Sequence, residues 1–200
     1  MSVVTVRYRD NGLLVIDKPS GLPTQPAPGR TDDVYTVLAA SEPYVGLHHR
    51  LDQAASGLVL LTLTTDLNAA IAEGFRTHAI GRQYQAVLVG AATDASWDRP
   101  IDGKSAKTLV QLVGRGQGLS AVRLHLETGR THQIRQPAAF AGRPIAGDRK
   151  YGGDAGRRWS RLALHASSLR FSHPVTGAMV EVTSPIPDDL AEIWSTAGGA

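Results

Sequence analysis

Cysteine is absent from the 200 residues. Its absence excludes disulfides, thiolate zinc ligation and a cysteine nucleophile, and it fits a reducing compartment. No apolar run approaches the length of a membrane span. The opening MSVVTVRYRD alternates apolar with polar residues where a secretory leader would carry a basic segment and then an apolar one. A cytoplasmic protein without membrane association is expected. Aromatic residues make up only 6% of the chain, yet 42% is hydrophobic, enough to bury an aliphatic core in one domain or one domain of two lobes. A glycine-rich phosphate cradle is missing too: GRGQG at 114–118 lies between two β-rich runs and lacks the lysine and following helix of a nucleotide loop. Among the histidines, His48 and His49 are adjacent while His125 and His132 straddle a turn, so neither pair has helical ligand spacing. No metal and no nucleotide cofactor are expected. No serine occupies a G-x-S-x-G elbow.

Acidic residues are scarce in one part of the chain. From Lys104 to Arg170 there are thirteen Lys/Arg and three Asp/Glu, a local charge of +10; the remainder carries eight against fifteen, or −7. Of the 21 basic residues 17 are arginine, whose planar fork suits phosphates and stacks on bases. A GC-rich genome would also favour arginine over lysine, but it would not cluster the charge. The clustering points to a polyanionic partner.

What is present reads mainly as strands. VVTVRYR (3–9) and LLVID (13–17) flank DNG, a hairpin signal. KPSGLPTQPAPGR is an irregular surface segment, and DDVYTVLAAS a short helix. LVLLTLT (58–64) reads as a central strand. In TTDLNAAIAEGFRTH, Leu67, Ala70, Ile71 and Phe75 share one helical face, with Thr65 as N-cap. RQYQAVLVG returns as a strand. Residues 107–113 and 119–127, joined by GRGQG, form a second hairpin, and RLALHASSLRF with GAMVEVTS a third pair around HPVTG. DDLAEIWSTA closes the chain as a helix. Many antiparallel strands with few helices indicate an α+β fold around a large mixed, mostly antiparallel sheet flanked by helices and loops. A single domain over 1–200 is expected, since neither a repeat nor a dividing linker is visible.

Two polar constellations stand out. HHRLDQAASG (48–57) sets His49, Arg50 and Asp52 side by side before a buried strand. Asp52 either ties a turn together or is presented to a substrate from a braced loop. ETGRTHQIRQPAAFAGRP (127–144) crowds Arg130, Thr131, His132, Gln133 and Arg135 into six positions after Gly129, which would permit a tight turn. These residues form either a solvated helix start capped by Thr131 or a binding surface, with Ile134 and the Ala-Ala-Phe run packing a helix on the sheet.

HRLDQAASG closely resembles the H-R-L-D-x-x-T-S-G signature of the RluA-type RNA pseudouridine synthases. GRTHQIR matches their second hallmark, and RPIAGDRKYGG resembles their P-I-x-G-D-x-x-Y-G segment. DKPSGLP and LALHASSLRFSHPVTG also fit, in the family's order and over nearly the whole chain. Two departures occur. Ala55 stands where threonine is usual, and Gln136-Pro137 follow Arg135 where an apolar residue and histidine are common. Proline inside a helix costs about 3 kcal/mol but little in the first turn, so the helix starts near Gln136 or kinks there.

The resemblance implies a pseudouridine-synthase fold with a central RNA-binding cleft, and without the extra N-terminal RNA-binding domain that many relatives carry. It also implies an isomerase that needs no cofactor. In such enzymes the uridine N1–C1′ bond breaks, the uracil turns, and C5 bonds to C1′. Asp52 would be the carboxylate near C1′, either attacking the sugar or taking a proton from C2′. Arg135 would keep it ionised and aimed through an ion pair. Tyr84 would stack on the base with its hydroxyl near the departing C5 proton, though an ordinary strand tyrosine is its alternative. Arg50 would fill the space left by the flipped base. His49 and the group Arg130, Thr131, His132, Gln133 and Ile134 would bind RNA, Ile134 as an apolar wall. Structured ribosomal or transfer RNA is the implied substrate, and a monomer the simplest expectation. Two alternatives stay open: a non-catalytic RNA-binding or RNA-folding module using the same cleft, and a glycosidic hydrolase, although no second acid stands near Asp52.

Overall fold

The computed structural model describes residues 4–26, 28–29 and 31–199. Strands β1 (Thr5–Arg9) and β2 (Leu13–Lys18) pair antiparallel from Thr5 opposite Asp17 to Arg9 opposite Leu14, with a bulge between Val6 and Tyr8. The turn expected at DNG forms because Asp10 Oδ1 accepts the backbone N–H groups of Gly12 and Leu13 at 2.8 and 2.7 Å. Val3, at the start of the expected strand, lies outside the described residues. Helix α1 (Val34–Ala39) follows, its first turn capped by the Asp33 carboxylate on the Thr36 N–H. A two-residue strand, β3 (Gly46–Leu47), then leads to β4 (Ser56–Thr62).

Strand β4 is buried along its whole length, and β2 nearly so; strands covered on both faces read as continuous apolar runs, not alternation. Beyond β4, a 3-10 turn (Thr65–Leu67) runs into helix α2 (Asn68–Arg76). Thr65 therefore sits inside the turn and is not the N-cap. Ile71 is buried and Leu67 and Phe75 half-buried, while Ala70, about 100° around the helix from Ile71, faces solvent.

The remaining strands are β5 (Gly81–Val89), β6 (Ala95–Trp97), β7 (Thr108–Gly116), β8 (Leu119–Leu126), β9 (Leu164–Ser172) and β10 (Met179–Thr183). The helices are α3 (Arg135–Phe140), α4 (Gly153–Gly156) and α5 (Asp188–Thr196). The strands join in a ten-stranded sheet of order β1-β2-β4-β9-β5-β8-β7-β6, with β10 on β9 and β3 on β4. This is the α+β architecture expected from the sequence.

Strand β7 runs on to Gly116, past the expected end at residue 113, while β8 keeps its expected span to within one residue. The hairpin closes on two residues, Gln117 (φ 50°) and Gly118 (φ 74°), which suits the twist of the flanking strands. Most of GRGQG is thus strand. Gly114 is there for a different reason: a Cβ on it would lie 2.0 Å from the carbonyl oxygen of Gly198, so the C-terminal segment can approach only a bare backbone.

The chain forms two compact units, residues 1–81 with 168–184 and residues 82–167 with 185–200. The first has its core in Leu13, Val15, Leu58, Leu60, Ile71, Ile80, Leu169, Phe171 and Val182. In the second, Leu88, Ala121, Val122, Leu124 and Ile145 are fully buried, as are Leu190 and Trp194 of α5 to within 6%. Among the described residues no helix is long and apolar enough to cross a membrane.

Candidate active site

In the first unit, residues 51–56 enter β4 through a turn that Asp52 opens: its backbone carbonyl accepts the N–H of Ala55 at 3.0 Å. The turn therefore uses the main chain of Asp52, and its side chain is half-buried. The brace behind this turn was not singled out residue by residue in the sequence. Lys18, at the end of β2, has no exposed surface, and its Nζ lies 2.9 Å from Pro19 O, 2.8 Å from Leu22 O, 3.3 Å from Gln53 O and 2.6 Å from Ala55 O. Four carbonyls around one nitrogen require an ammonium, which has only hydrogens to offer. Thr24 Oγ1 donates to Leu51 O and accepts from Leu51 N, Ser20 Oγ donates to Ala54 O, and Gly21 N donates to Gln53 O. The proline-rich segment is thus the clamp that holds the Asp52 loop. Ala55 is buried within this clamp, 1% exposed.

The neighbours of Asp52 divide. Arg50 is exposed. His49 accepts the Leu60 N–H through Nε2 at 2.8 Å and lies 4.5 Å from the Phe75 ring, so its proton resides on Nδ1. His48 completes a chain in which Thr62 Oγ1 donates to Asn68 and accepts from His48 Nε2.

In the second unit, Tyr84 lies on β5 opposite Leu124 of β8 and is 7% exposed. The segment before α3 is built around Gln133, a buried side chain with every polar group matched. Its Oε1 accepts from Thr128 Oγ1 and Arg130 N, and its Nε2 donates to Lys107 O and Thr108 Oγ1. Arg130 donates from Nε to Ser105 O and is exposed, as is Thr131. Gly129 does not take a left-handed conformation; His132 does, with φ 55°. What Gly129 provides is space, since a Cβ there would meet Arg82 Nη1 at 2.5 Å while Arg82 Nη2 donates to Thr128 O. His132 Nδ1 is 2.8 Å from the Tyr151 hydroxyl, and Ile134 is buried. Thr131 does not cap the helix: α3 begins at Arg135 with no side-chain cap, and Pro137 falls in its first turn, where its missing N–H costs nothing.

Arg135 is held by a residue that the sequence left inside a quoted motif. Its Nε and Nη2 each lie 2.8 Å from Asp148, forming a fork with side-chain exposures of 9% and 1%. Asp148 Oδ1 also accepts the N–H groups of Lys150 and Tyr151. Burial pushes the Asp148 carboxyl upward, but Arg135 and these amides outweigh it and hold the group below its ordinary 3.8. The Tyr151 ring lies 5.3 Å from the Arg135 guanidinium carbon. Among the described residues no group of three His, Asp or Glu could hold a metal.

Solved structures with this backbone are pseudouridine synthases. The human RNA Pseudouridylate Synthase Domain Containing 4 matches with a TM-score of 0.82 over 96% of this chain and 92% of its own, at 22% identity. Domain Containing 1 matches with 0.79 over 98% and 87%, at 25% identity. The molecule has the pseudouridine-synthase fold. The sequence model for RNA pseudouridylate synthase matches residues 12–140. Ribosomal large subunit pseudouridine synthase D of Xanthomonas campestris pv. campestris is 36% identical over 96% of this chain and 69% of its own length. An uncharacterized RNA pseudouridine synthase of Bacillus subtilis is 33% identical over 94% and 71%. The chain belongs to the RNA pseudouridylate synthase family, a family of isomerases, as its motifs imply.

Proposed function

We propose that the protein converts a uridine of ribosomal RNA to pseudouridine with Asp52 as its catalytic carboxylate. The observation that carries this reading is the clamp on residues 51–56. A buried ammonium, two hydroxyls and backbone bonds converge on the loop of one half-buried aspartate, which is how a scaffold presents a reacting group. Ribosomal RNA follows from relatives whose names specify the ribosomal large subunit.

The reaction breaks N1–C1′, turns the base, forms C5–C1′, and moves one proton from C5 while N1 regains one. Asp52 acts on the ribose, by attack at C1′ or by taking the C2′ proton. Arg135 supplies the positive charge that complements the carboxylate. The Arg135 guanidinium is itself fixed by Asp148 through Nε and Nη2. Tyr84 stacks on the uracil, and its hydroxyl serves the C5 proton transfer. Exposed Arg50 fills the place the flipped nucleotide leaves, and exposed Arg130 grips the backbone.

The test follows tritium release from ribosomal RNA labelled at uracil C5, with nucleoside analysis of the product. Wild type releases tritium and yields pseudouridine, and Asp52→Asn does neither. Free uracil as the main product, or an active Asp52→Asn, overturns the reading.

A further inference from the structure

One cavity in the second unit is used by none of the chemistry above. It encloses about 410 Å³, and Arg99, Asp102, Gln136, Pro137, Phe140 and Tyr151 are among its walls. That volume lies within the range of small-ligand pockets.

Its lining is unusual in three respects. Phe140, the last residue of α3, is 73% exposed, the most exposed large apolar side chain among the described residues. The Arg99 guanidinium lies 3.8 Å over its ring and has no hydrogen-bonded or ionic partner among the described residues, so the pair forms a flat cationic platform. Asp102 likewise has no such partner, and its backbone sits at φ 50° in the turn bridged by Ile101 and Lys104. A third polar edge comes from Gln136, whose Nε2 makes only a 3.3 Å contact with Thr131 O.

Four of the lining residues, Gln136, Pro137, Phe140 and Tyr151, belong to the cationic stretch 104–170, which carries the local +10. A polyanion is therefore the occupant the surroundings attract. Inside, Asp102 repels phosphate, whereas an aromatic and guanidinium platform attracts a flat ring. A carboxylate beside such a platform favours a ring edge that carries an exocyclic amine and disfavours uracil, whose one N3–H donor is flanked by two carbonyl oxygens.

We infer that this cavity binds an unstacked nucleobase bearing an exocyclic amine, from a nucleotide of the bound RNA other than the target uridine. The base stacks on the Arg99–Phe140 platform and donates its amine to Asp102. Gln136 takes a second edge position, and Arg99 meets the adjoining phosphate. The inference rests on RNA being the substrate class, and it gives a function to Gln136, one of the two residues that depart from the family's usual pattern after the arginine.

Binding of the full chain to labelled oligo(A), oligo(C) and oligo(U) of one length, followed by fluorescence anisotropy at fixed salt, tests it. Wild type binds oligo(A) and oligo(C) more tightly than oligo(U). Phe140→Ala weakens oligo(A) binding by about 5- to 100-fold, the loss typical of one stacked base, and Phe140→Trp restores it. Asp102→Gly, which tolerates the positive φ, equalises the three oligonucleotides. Equal binding of all three by wild type, or unchanged binding by Phe140→Ala, overturns the inference. Anisotropy reads binding without turnover. An inactive wild type with the expected preference would therefore sink the proposed reaction and leave the pocket standing, and the converse result would do the opposite.

Discussion

Lys18 shows how much a single buried side chain can organise. Its ammonium has three hydrogens for four carbonyls, two of them on the Asp52 loop. Lys18→Met fills the volume but strands those carbonyls, so unfolding in urea is expected to show a loss of about 3 kcal/mol or more. Single-turnover rates on ribosomal RNA should fall while RNA affinity persists. At Asp148 the expected loss for Asp148→Asn is likewise about 3–5 kcal/mol, because the buried Arg135 guanidinium would lose the carboxylate that its Nε and Nη2 hold in a fork. The sign with pH follows from a carboxyl held below 3.8 in the folded state. This stabilisation is complete above that value and is lost as pH falls through the lower folded one. At this scale the sequence was uneven. Asp52, Tyr84 and Arg135 could be named because they lie in recognisable motifs. Lys18 and Asp148 could not be ranked, because their importance comes from partners 35 and 13 positions away. Gln133 lay in the polar cluster, but nothing in its spacing revealed that all its hydrogen bonds turn inward.

Turns carry the clearest predictions among the elements. Asp10 ties the β1–β2 turn to the β9–β10 turn: its Oδ2 accepts from the Tyr8 hydroxyl at 2.6 Å and from His173 Nε2 at 2.8 Å. His173 must donate through Nε2, since its Nδ1 accepts the N–H groups of Val175 and Thr176. Burial raises the Asp10 carboxyl, but the bonds from Tyr8, the Gly12 and Leu13 amides and His173 bring it down to about 2. The stability it contributes is present above 3.8 and disappears as pH drops toward 2. Thermal melts of wild type and Asp10→Asn should therefore differ most above 3.8 and converge at the acid end. In the β7–β8 turn, Gln117 occupies a left-handed conformation that asparagine adopts more readily. Gln117→Asn is expected to stabilise by about 0.5–1 kcal/mol, read as a raised urea midpoint with an unchanged slope. The strands themselves were legible because their apolar runs are long. β3 and β6 were not, at two and three residues, too short to show any period. In GRGQG only Gly118 serves the loop, while Gly114 and Gly116 mark close packing of main chain.

At the scale of the whole molecule, charge and connectivity matter most. The basic stretch 104–170 lies almost entirely in the second unit, which spans 82–167 and 185–200. RNA binding should then be governed by counterion release, with affinity falling by about 10³-fold or more between low and near-physiological salt if six or more phosphates are neutralised. A flat salt dependence would count against that surface. The α+β class was readable from the run of hairpins, since antiparallel pairs announce themselves locally. The strand order was not, because placing β9 between β4 and β5 depends on pairings across most of the chain.

That placement has a consequence during synthesis. Strand β4, buried along its length, emerges from the ribosome more than a hundred residues ahead of β9, the neighbour that completes its sheet. Until residues 164–172 arrive, the nascent chain holds an apolar edge without a permanent cover, so the interval of greatest aggregation hazard is set by translation speed and not by the stability of the finished protein.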